Sequence, residues 1–496
     1  MTQRTIIPAF IIGAVLVSVL FYTSGCANIV PPMGGYRDSL PPMLNRVSPP
    51  DSSLDFEGNR IVFTFDEYID VDNYMQNLIV SPIQQSIPTV TRKLNTVTLK
   101  FRDTLEANTT YTLNFGNAIK DINEGNIKRN FTYVFSTGNY LDSLRFSGNV
   151  IKAETGDIDT TLTIMLHRSG EDSIVSSQKP RYITRTNGQG QFTLRNLPPG
   201  TFYVYALKDE SGSYRYMQTD QLFAFADSAV HVSDSTPNVT LYAYSVPKVA
   251  QPVTTTTTRP GRATDKRLKF TTNLQAEKQD LLETLRFTFD TPIREFDSTR
   301  VRFTADSAYT PIETGYRWEM DSTSKVLTLH YPWQEKRLYH LILEKDFATD
   351  TLGQQLLKSD TVDFTTKALT DYGKLSLRFR NLDLSRNPVL LFVLNNEVRR
   401  SFPLSSDRFQ QDVFPPGEYS LRILNDENGN GKWDPGEFFG VRRQPEKVKP
   451  VQRKINVRPG RENEFEIDIN ATAEETRAPG SRPGQRPQPA RTGQFN

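Results

Sequence analysis

The sequence predicts an all-β protein built from tandem β-sandwiches, and three observations lead to that prediction. The 496 residues include 30 Phe and 20 Tyr, with turn residues at short intervals, and this composition favours strands over helices. Short segments such as RIVFTFD at residues 60–66 have the alternation typical of strands, with Ile61, Phe63 and Phe65 on one face. The same kinds of segment recur in order in the second half of the chain. At roughly 100 to 200 residues per domain, the chain is long enough for several separate cores.

The first 25 residues are expected to be a targeting segment and not part of the fold. Arg4 precedes an apolar run at residues 6–22, which ends before Thr23, two small residues and the only cysteine of the sequence, Cys26. This pattern resembles a bacterial lipoprotein signal, although that family usually has leucine where this chain has Thr23. The resemblance implies that residues 1–25 are removed and that Cys26 carries covalent lipid such as palmitate. A transmembrane anchor is the alternative, because the apolar run is near the lower limit of about 17 to 20 residues for a span.

The remaining chain divides by composition into four predicted sandwiches and three connecting or terminal segments. A Pro- and Gly-rich tether, a Thr/Pro-rich linker and a disordered tail lack the apolar periodicity of a core. The predicted order is tether (26–42), sandwich A (43–139), sandwich B (143–244), linker (245–267), sandwich A′ (268–368), sandwich B′ (372–470) and tail (471–496). In the first strand of A, alternation predicts that Ile61, Phe63 and Phe65 face the core.

The names A′ and B′ express a predicted duplication. Residues 61–66, IVFTFD, recur as LRFTFD at residues 285–290, and the Pro-Pro-Gly turn ending at Gly200 recurs in the turn ending at Gly417. Both pairs are separated by nearly the same interval, roughly 220 residues, which indicates duplication of a two-domain unit.

Two family resemblances follow from these segments. Sandwich A resembles S-layer-associated bacterial Ig-like domains in its Pro49-Pro50-Asp51 opening, its strand at residues 63–67 and its Leu-x-x-Asn-Thr-x-Tyr segment at residues 105–111. Sandwich A′ keeps less of this pattern. Sandwich B resembles carboxypeptidase-regulatory or prealbumin-like domains, which carry a run like the one at residues 190–203. Together with the lipoprotein signal, the mature chain resembles Ig-like lipoproteins of Bacteroidota, which implies an outer-membrane location.

The segment DENGNGKWDPGE at residues 426–437 matches a calcium-loop pattern. Oxygen ligands at alternating positions, a glycine for the turn and a closing carboxylate suit calcium. The predicted ligands are Asp426, Asn428, Asn430, the backbone carbonyl of Lys432, Asp434 and Glu437. Strand-like flanks indicate a loop between strands and not a helix-loop-helix hand. The alternative is an Asn/Gly-rich hairpin turn that needs no ion.

The corresponding segment of sandwich B begins at Asp209 and is expected to bind no metal. It retains Ser211 and Ser213, but Tyr214 replaces the glycine and Met217 replaces an oxygen ligand.

No sequence motif predicts catalysis. His330 and His340 lie in strand-like runs, where satisfied sheet histidines are commoner than ligands, and the acids at residues 66–72 are expected to be a solvated strand edge. Three tryptophans could stack on sugars, although core filling or edge anchoring is commoner. These are Trp318, Trp333 and Trp433.

The expected function is therefore that of a non-enzymatic outer-membrane lipoprotein, acting as a scaffold or protein-binding module in the cell envelope. Glycan binding through exposed aromatic residues is the alternative. The formal charge of +2 disfavours nucleic acid as a partner. In Bacteroidota-like lipoproteins an acidic stretch after the cysteine marks surface export, and residues 27–30 contain no acid. We therefore expect the periplasmic face of the outer membrane.

Overall fold

The computed structural model describes residues 37–246 and 267–471. The predicted signal peptide, Cys26 and nearly all of the predicted tail lie outside the described residues, as do most of the tether and linker. The chain divides into two compact units, one ending at Leu141 and the other beginning at Asp142, with the short segment Ser81–Ile83 assigned to the second.

The first unit contains two main sheets around one core. Its elements are β1 (Leu44–Ser48), β2 (Arg60–Phe65), β3 (Ile69–Val71), α1 (Tyr74–Asn77), β4 (Ile79–Ser81), β5 (Thr89–Lys93), β6 (Thr96–Lys100), β7 (Thr110–Asn114), β8 (Ile119–Asp121) and β9 (Thr132–Ser136). One sheet has the order β1-β2-β6-β5, the other β4-β7-β9, and β3 pairs with β8. Ile61, Phe63 and Phe65 are fully buried, which confirms the predicted core face of β2.

The second unit begins with a three-stranded and a five-stranded sheet. The elements are β10 (Leu144–Lys152), β11 (Thr163–His167), α2 (Ile174–Ser177), β12 (Tyr182–Arg185), β13 (Gln191–Leu197), β14 (Gly200–Leu207), β15 (Phe223–Phe225), β16 (Val230–Val232) and β17 (Val239–Ala243). The sheets have the orders β13-β10-β17 and β12-β11-β14-β15, with β16 also on β14. Residues from both sheets meet in one core.

The next group of strands surrounds a core rich in aromatic residues. Its strands are β18 (Phe270–Thr272), β19 (Lys278–Gln279), β20 (Leu285–Phe289), β21 (Ile293–Phe296), β22 (Val301–Ala305), β23 (Thr310–Pro311), β24 (Arg317–Met320), β25 (Val326–His330), β26 (Leu338–Leu343), β27 (Ala348–Asp350) and β28 (Asp360–Thr366). The main sheets have the orders β18-β20-β25-β24 and β19-β28-β26-β22-β23, and β21 pairs with β27.

The last group returns to a three-stranded and a five-stranded sheet. Its strands are β29 (Gly373–Arg380), β30 (Pro388–Leu394), β31 (Glu397–Pro403), β32 (Arg408–Phe414), β33 (Gly417–Asn425), β34 (Lys447–Pro450), β35 (Ile455–Val457) and β36 (Glu462–Asp468). The sheets have the orders β32-β29-β36 and β31-β30-β33-β34, with β35 also on β33.

Strand order repeats between the two halves of the chain. The parallel pair β10 and β17 with antiparallel β13 has a counterpart in the parallel pair β29 and β36 with antiparallel β32. The sheet β1-β2-β6-β5 likewise has a counterpart in β18-β20-β25-β24. This repetition is what duplication of a two-domain unit would produce, and duplication stays a prediction.

The all-β fold class is confirmed, because strands in several sheets account for nearly all regular structure in the described residues. Within those residues, no helix has the length and apolar character needed to span a membrane.

Candidate functional site

The predicted calcium loop connects two neighbouring antiparallel strands. It begins after β33 and ends before β34, whose residues pair directly with those of β33. The sequence-based expectation of a loop between strands is confirmed. The connection occupies residues 426–446, so it extends well beyond the twelve residues of the pattern.

Asp426 organises the first turn of this loop from a buried position, with only 2% of its surface exposed. Its Oδ1 accepts the backbone N–H groups of Gly429 at 2.7 Å and Asn430 at 3.2 Å, and its Oδ2 accepts the N–H of Gly431 at 2.6 Å. Gly431 has a φ of +76°, a left-handed conformation that favours glycine. The glycine of the pattern therefore serves the turn itself.

Two of the predicted ligand side chains donate hydrogen bonds to one carboxylate oxygen of a third. The Nδ2 groups of Asn428 and Asn430 donate to Oδ2 of Asp434 at 2.5 Å and 2.6 Å. Lys432 contributes a backbone N–H to Oδ1 of Asn430 at 2.7 Å, and its side chain is exposed. A cation at the point of convergence would meet amide oxygens only after both Asn side chains turned those oxygens inward.

Glu437, the predicted closing ligand, does not join this group. Its side chain is exposed, and its backbone forms an isolated bridge with Arg443. Glu446 closes the loop instead, since its carboxylate accepts the N–H of Glu427 at 2.8 Å and of Asp434 at 3.0 Å. Burial, and then the negative charges of Asp426 and Asp434, raise the pKa of Glu446.

Glu446 is the residue that the sequence pattern missed, because it lies outside the twelve-residue spacing. Its sequence signal is its place directly before β34, the strand that pairs with β33. Across the described residues, no group of three or more His, Cys, Asp or Glu side chains is arranged to hold a metal. The loop thus has a turn built by hydrogen bonds and a partial set of oxygen ligands.

The loop after Asp209 reproduces the turn without the ligand pattern. Asp209 accepts the backbone N–H of Ser211 at 3.0 Å and of Tyr214 at 2.5 Å. Tyr214 has a φ of +54° at the position of the glycine, which is uncommon for a bulky residue. The same type of hydrogen-bonded turn therefore forms around Asp209 and around Asp426.

The two strand histidines have structural partners. His340 is buried, with its Nδ1 2.6 Å from Asp363 Oδ1 and its Nε2 3.1 Å from the carbonyl oxygen of Asp306. His330 Nε2 lies 2.9 Å from Glu319. The expectation of satisfied sheet histidines is confirmed.

The acids near residue 70 and the tryptophans also have structural contacts. Asp70 pairs with Arg92 at 3.2 Å, and Asp72 pairs with Lys120 at 3.2 Å, as expected for a solvated strand edge. The tryptophans all pack against hydrophobic clusters: Trp318 and Trp333 in one, and Trp433 in another. Trp433 also donates its Nε1–H to the carbonyl oxygen of Glu446 at 2.8 Å.

Comparisons with known proteins give one family match and several distant structural likenesses. The major pilin subunit BcpA of Bacillus cereus is 10% identical, with 65% of this chain and 99% of that chain covered and a TM-score of 0.17. The TIE protein of Bacillus anthracis is 11% identical, with 88% and 75% covered and a TM-score of 0.17. The S-layer protein rSbsC is 11% identical, with 86% and 54% covered and a TM-score of 0.15. A search of curated proteins found no match. Residues 38–137 match the family model described as a bacterial Ig-like domain, Big_5, and this part of the chain is therefore similar to that Ig-like family.

Proposed function

We propose that the chain is a non-enzymatic outer-membrane lipoprotein that acts as a scaffold or protein-binding module in the cell envelope. The observation that carries the proposal is that His and Asp side chains, which could take part in catalysis, are held by hydrogen bonds within strands and turns. His340 is held by Asp363 and a carbonyl, and Asp426 is held by three N–H groups of its own loop. Groups fixed in this way maintain strands and turns.

The Ig-like match over residues 38–137 supports a scaffold or binding role for that part of the chain. Sheets that end in edge strands offer backbone groups to which a partner can add a strand. Edge strands of the described sheets include β5, β24 and β31. Fold alone does not determine function, so the partner must be identified by experiment.

The lipid anchor at Cys26 is the second part of the proposal. Two acyl signals are about the minimum for stable membrane attachment, and a diacylglyceryl group supplies them. A Cys26→Ser variant is expected to leave the membrane fraction and to lose incorporation of labelled palmitate. Unchanged fractionation and labelling would contradict this assignment.

We further propose that calcium binds the loop at residues 426–434 and orders it in the envelope. The proximity of Asn428, Asn430 and Asp434 supports this proposal, because rotation of the two amide groups would place three side-chain oxygens around one point. The ligand set contains few carboxylates, so the expected affinity is modest and suits calcium at about 0.1 to 1 mM outside the cytoplasm.

Purification from envelopes tests the scaffold role. The full chain, tagged at its C-terminus and extracted in mild detergent, is expected to retain a stoichiometric protein partner. A tagged lipoprotein of similar abundance provides the control for nonspecific capture. Recovery of the chain without any stoichiometric partner would count against the scaffold role. For the membrane face, protease added to intact cells is expected to spare the protein, whereas rapid loss would place it on the surface.

A further inference from the structure

Residues 436–444, in the last part of the connection between β33 and β34, lie against an aromatic face of the sandwich formed by β10–β17. Phe438 is 3% exposed, and its ring centroid lies 5.6 Å from that of Tyr205 and 5.2 Å from those of Phe223 and Phe225. The preceding Gly436 packs so closely on Tyr244 that an added Cβ would lie 2.6 Å from a ring carbon. Phe438 and Gly436 therefore both pack closely against this face.

Phe439 extends a stack of parallel rings on the same face. The Phe223 and Tyr216 rings are 4.1 Å apart and 8° from parallel, and the Tyr216 and Phe439 rings are 5.7 Å apart and 7° from parallel. Phe439 remains 43% exposed at the end of the stack. Phe438 is thus the buried anchor, and the Phe439 ring contacts it edge to face at 5.2 Å.

A charged group fixes the orientation of the segment. Arg442 Nε donates to Asp172 Oδ1 at 2.7 Å, and the same guanidinium donates to the carbonyl oxygen of Gly170. The guanidinium carbon also lies 5.3 Å from the centroid of the Phe438 ring. Gln444 adds a hydrogen bond of 2.9 Å to the carbonyl oxygen of Phe225. An aromatic anchor beside a paired arginine is typical of the residues that dominate binding energy at interfaces.

A second strip of contacts joins the same two groups of strands. Arg422, buried on β33, pairs with Asp157 at 3.2 Å. The N–H of Val448 donates to the carbonyl oxygen of Ala153 at 2.8 Å. Gly156 lies against Pro450, where an added Cβ would come within 2.2 Å of a ring carbon. The contact therefore involves backbone as well as side chains, and it does not depend on Phe438 alone.

We propose that the aromatic face formed by Tyr205, Tyr216, Phe223, Phe225 and Tyr244 is a binding site for a Phe-Phe-x-x-Arg turn, which the chain fills with its own residues 438–442, closed by the backbone bridge between Glu437 and Arg443. Docking of this segment fixes the strands β10–β17 against the strands β29–β36. In the sequence, these two groups are separated by β18–β28. In a scaffold, this contact would keep the two groups of strands at a fixed distance from each other. Docking of the segment requires neither calcium nor lipid.

The purified full chain and a synthetic peptide of residues 436–446, GEFFGVRRQPE, test the proposal directly. In a Phe438→Ala/Arg442→Ala double variant the buried ring and the guanidinium no longer occupy the face, and the peptide is expected to bind the double variant at least about tenfold more tightly than the wild type, whose site is filled. A peptide with both phenylalanines replaced by alanine is the control. Equal binding to both proteins, or binding to neither, would overturn the proposal.

Hydrogen exchange supplies a second readout that does not require the double variant to remain folded. Asp172→Asn removes the negative charge that pairs with Arg442 from the other side of the contact, and the Asp172 side chain lies outside the core, 34% exposed. Amide exchange at residues 438–444 is expected to accelerate about tenfold in this variant. Val441→Ala, at a residue 67% exposed in the same segment, is expected to leave exchange unchanged. Unaltered exchange in Asp172→Asn would contradict the proposed role of the arginine.

Discussion

Glu446 accepts the backbone N–H of Asp434 at 3.0 Å, although twelve residues separate the two along the chain. The other carboxylate oxygen accepts the N–H of Glu427 at 2.8 Å. One buried side chain therefore ties both ends of the calcium-type loop to the start of β34. This arrangement explains how hydrogen bonds alone can order the loop.

Removal of this carboxylate should destabilise the loop. Glu446→Ala is expected to lower the free energy of unfolding by about 2 kcal/mol, because two N–H groups lose a charged acceptor. Urea unfolding at neutral pH measures the change. Glu437→Ala is the matched control, since Glu437 is exposed in the same loop, and its effect is expected to be within about 0.5 kcal/mol. Equal effects of the two substitutions would contradict the role given to Glu446.

The same glutamate predicts a direction of pH dependence. Burial raises the pKa of Glu446, so the Glu446 carboxyl group binds a proton more tightly in the folded protein than in the unfolded chain. Its contribution to stability is greatest below the ordinary pKa of glutamate and is lost as pH rises through the folded pKa. The stability of the wild type relative to Glu446→Gln should therefore decline from acid toward neutral pH. An increase over that range would show that the sign is wrong.

Calcium should raise the melting temperature of the full chain relative to chelator. At a calcium concentration ten times the Kd, the expected gain is about 1.4 kcal/mol. An Asn428→Ala/Asn430→Ala/Asp434→Ala variant should lose this gain, because it removes three of the side chains proposed to bind calcium. Asp209→Ala, in the related loop without the ligand pattern, should retain it. Identical melting of the wild type in chelator and in excess calcium would remove the metal from the account.

His167 should make the second unit sensitive to mild acid. It is 2% exposed, and burial lowers the pKa of His167 to about 4, so the folded state disfavours its charged form. Stability from the neutral ring is fully present above pH 6.5 and is lost as pH falls toward 4, by roughly 3 kcal/mol in total. Comparison of urea unfolding at the two ends of this range should reveal the loss in the wild type. His167→Phe should show a smaller loss, and an equal loss would assign the acid sensitivity to other groups.

Tyr244 offers a test of a buried hydroxyl group. Within the described residues, its Oη is buried and has no hydrogen-bond partner. Tyr244→Phe should therefore leave stability unchanged or raise it by up to about 1 kcal/mol. Tyr133→Phe is the contrasting substitution, because Tyr133 Oη donates to the carbonyl oxygen of Pro49 at 3.1 Å, and it should cost about 1 kcal/mol. Thermal unfolding of both variants decides the comparison, and a larger loss for Tyr244→Phe would contradict it.

The strands were predictable from sequence where one face is buried and the other is not. In β2 the placement of Ile61, Phe63 and Phe65 on one side of the strand identified the core face, because side chains on a strand point alternately to opposite sides. The loop position was predictable for a similar local reason, since Asp426 and Gly431 form a turn within a few residues.

Contacts between segments distant in sequence were not predictable. Glu446 closes the loop only because β34 returns beside β33, and a twelve-residue pattern contains no information on that pairing. In the sequence, nothing distinguishes Phe438 from other apolar residues. Only the structure shows that it contacts Tyr205 on β14 and Phe223 on β15. Its burial depends on residues more than two hundred positions earlier, which local spacing does not specify.

The mass of the complex that the full chain forms in the envelope tests the central claim most directly. Native mass spectrometry of the tagged protein, extracted in mild detergent, measures three properties in one spectrum. These are removal of the signal peptide, attachment of acyl groups and binding of a protein partner. We predict a chain lighter than the unprocessed 56.4 kDa by the signal peptide, carrying acyl groups at Cys26 and bound to a protein partner in fixed stoichiometry. An unprocessed chain without acyl groups or any partner would contradict the account of a lipid-anchored scaffold.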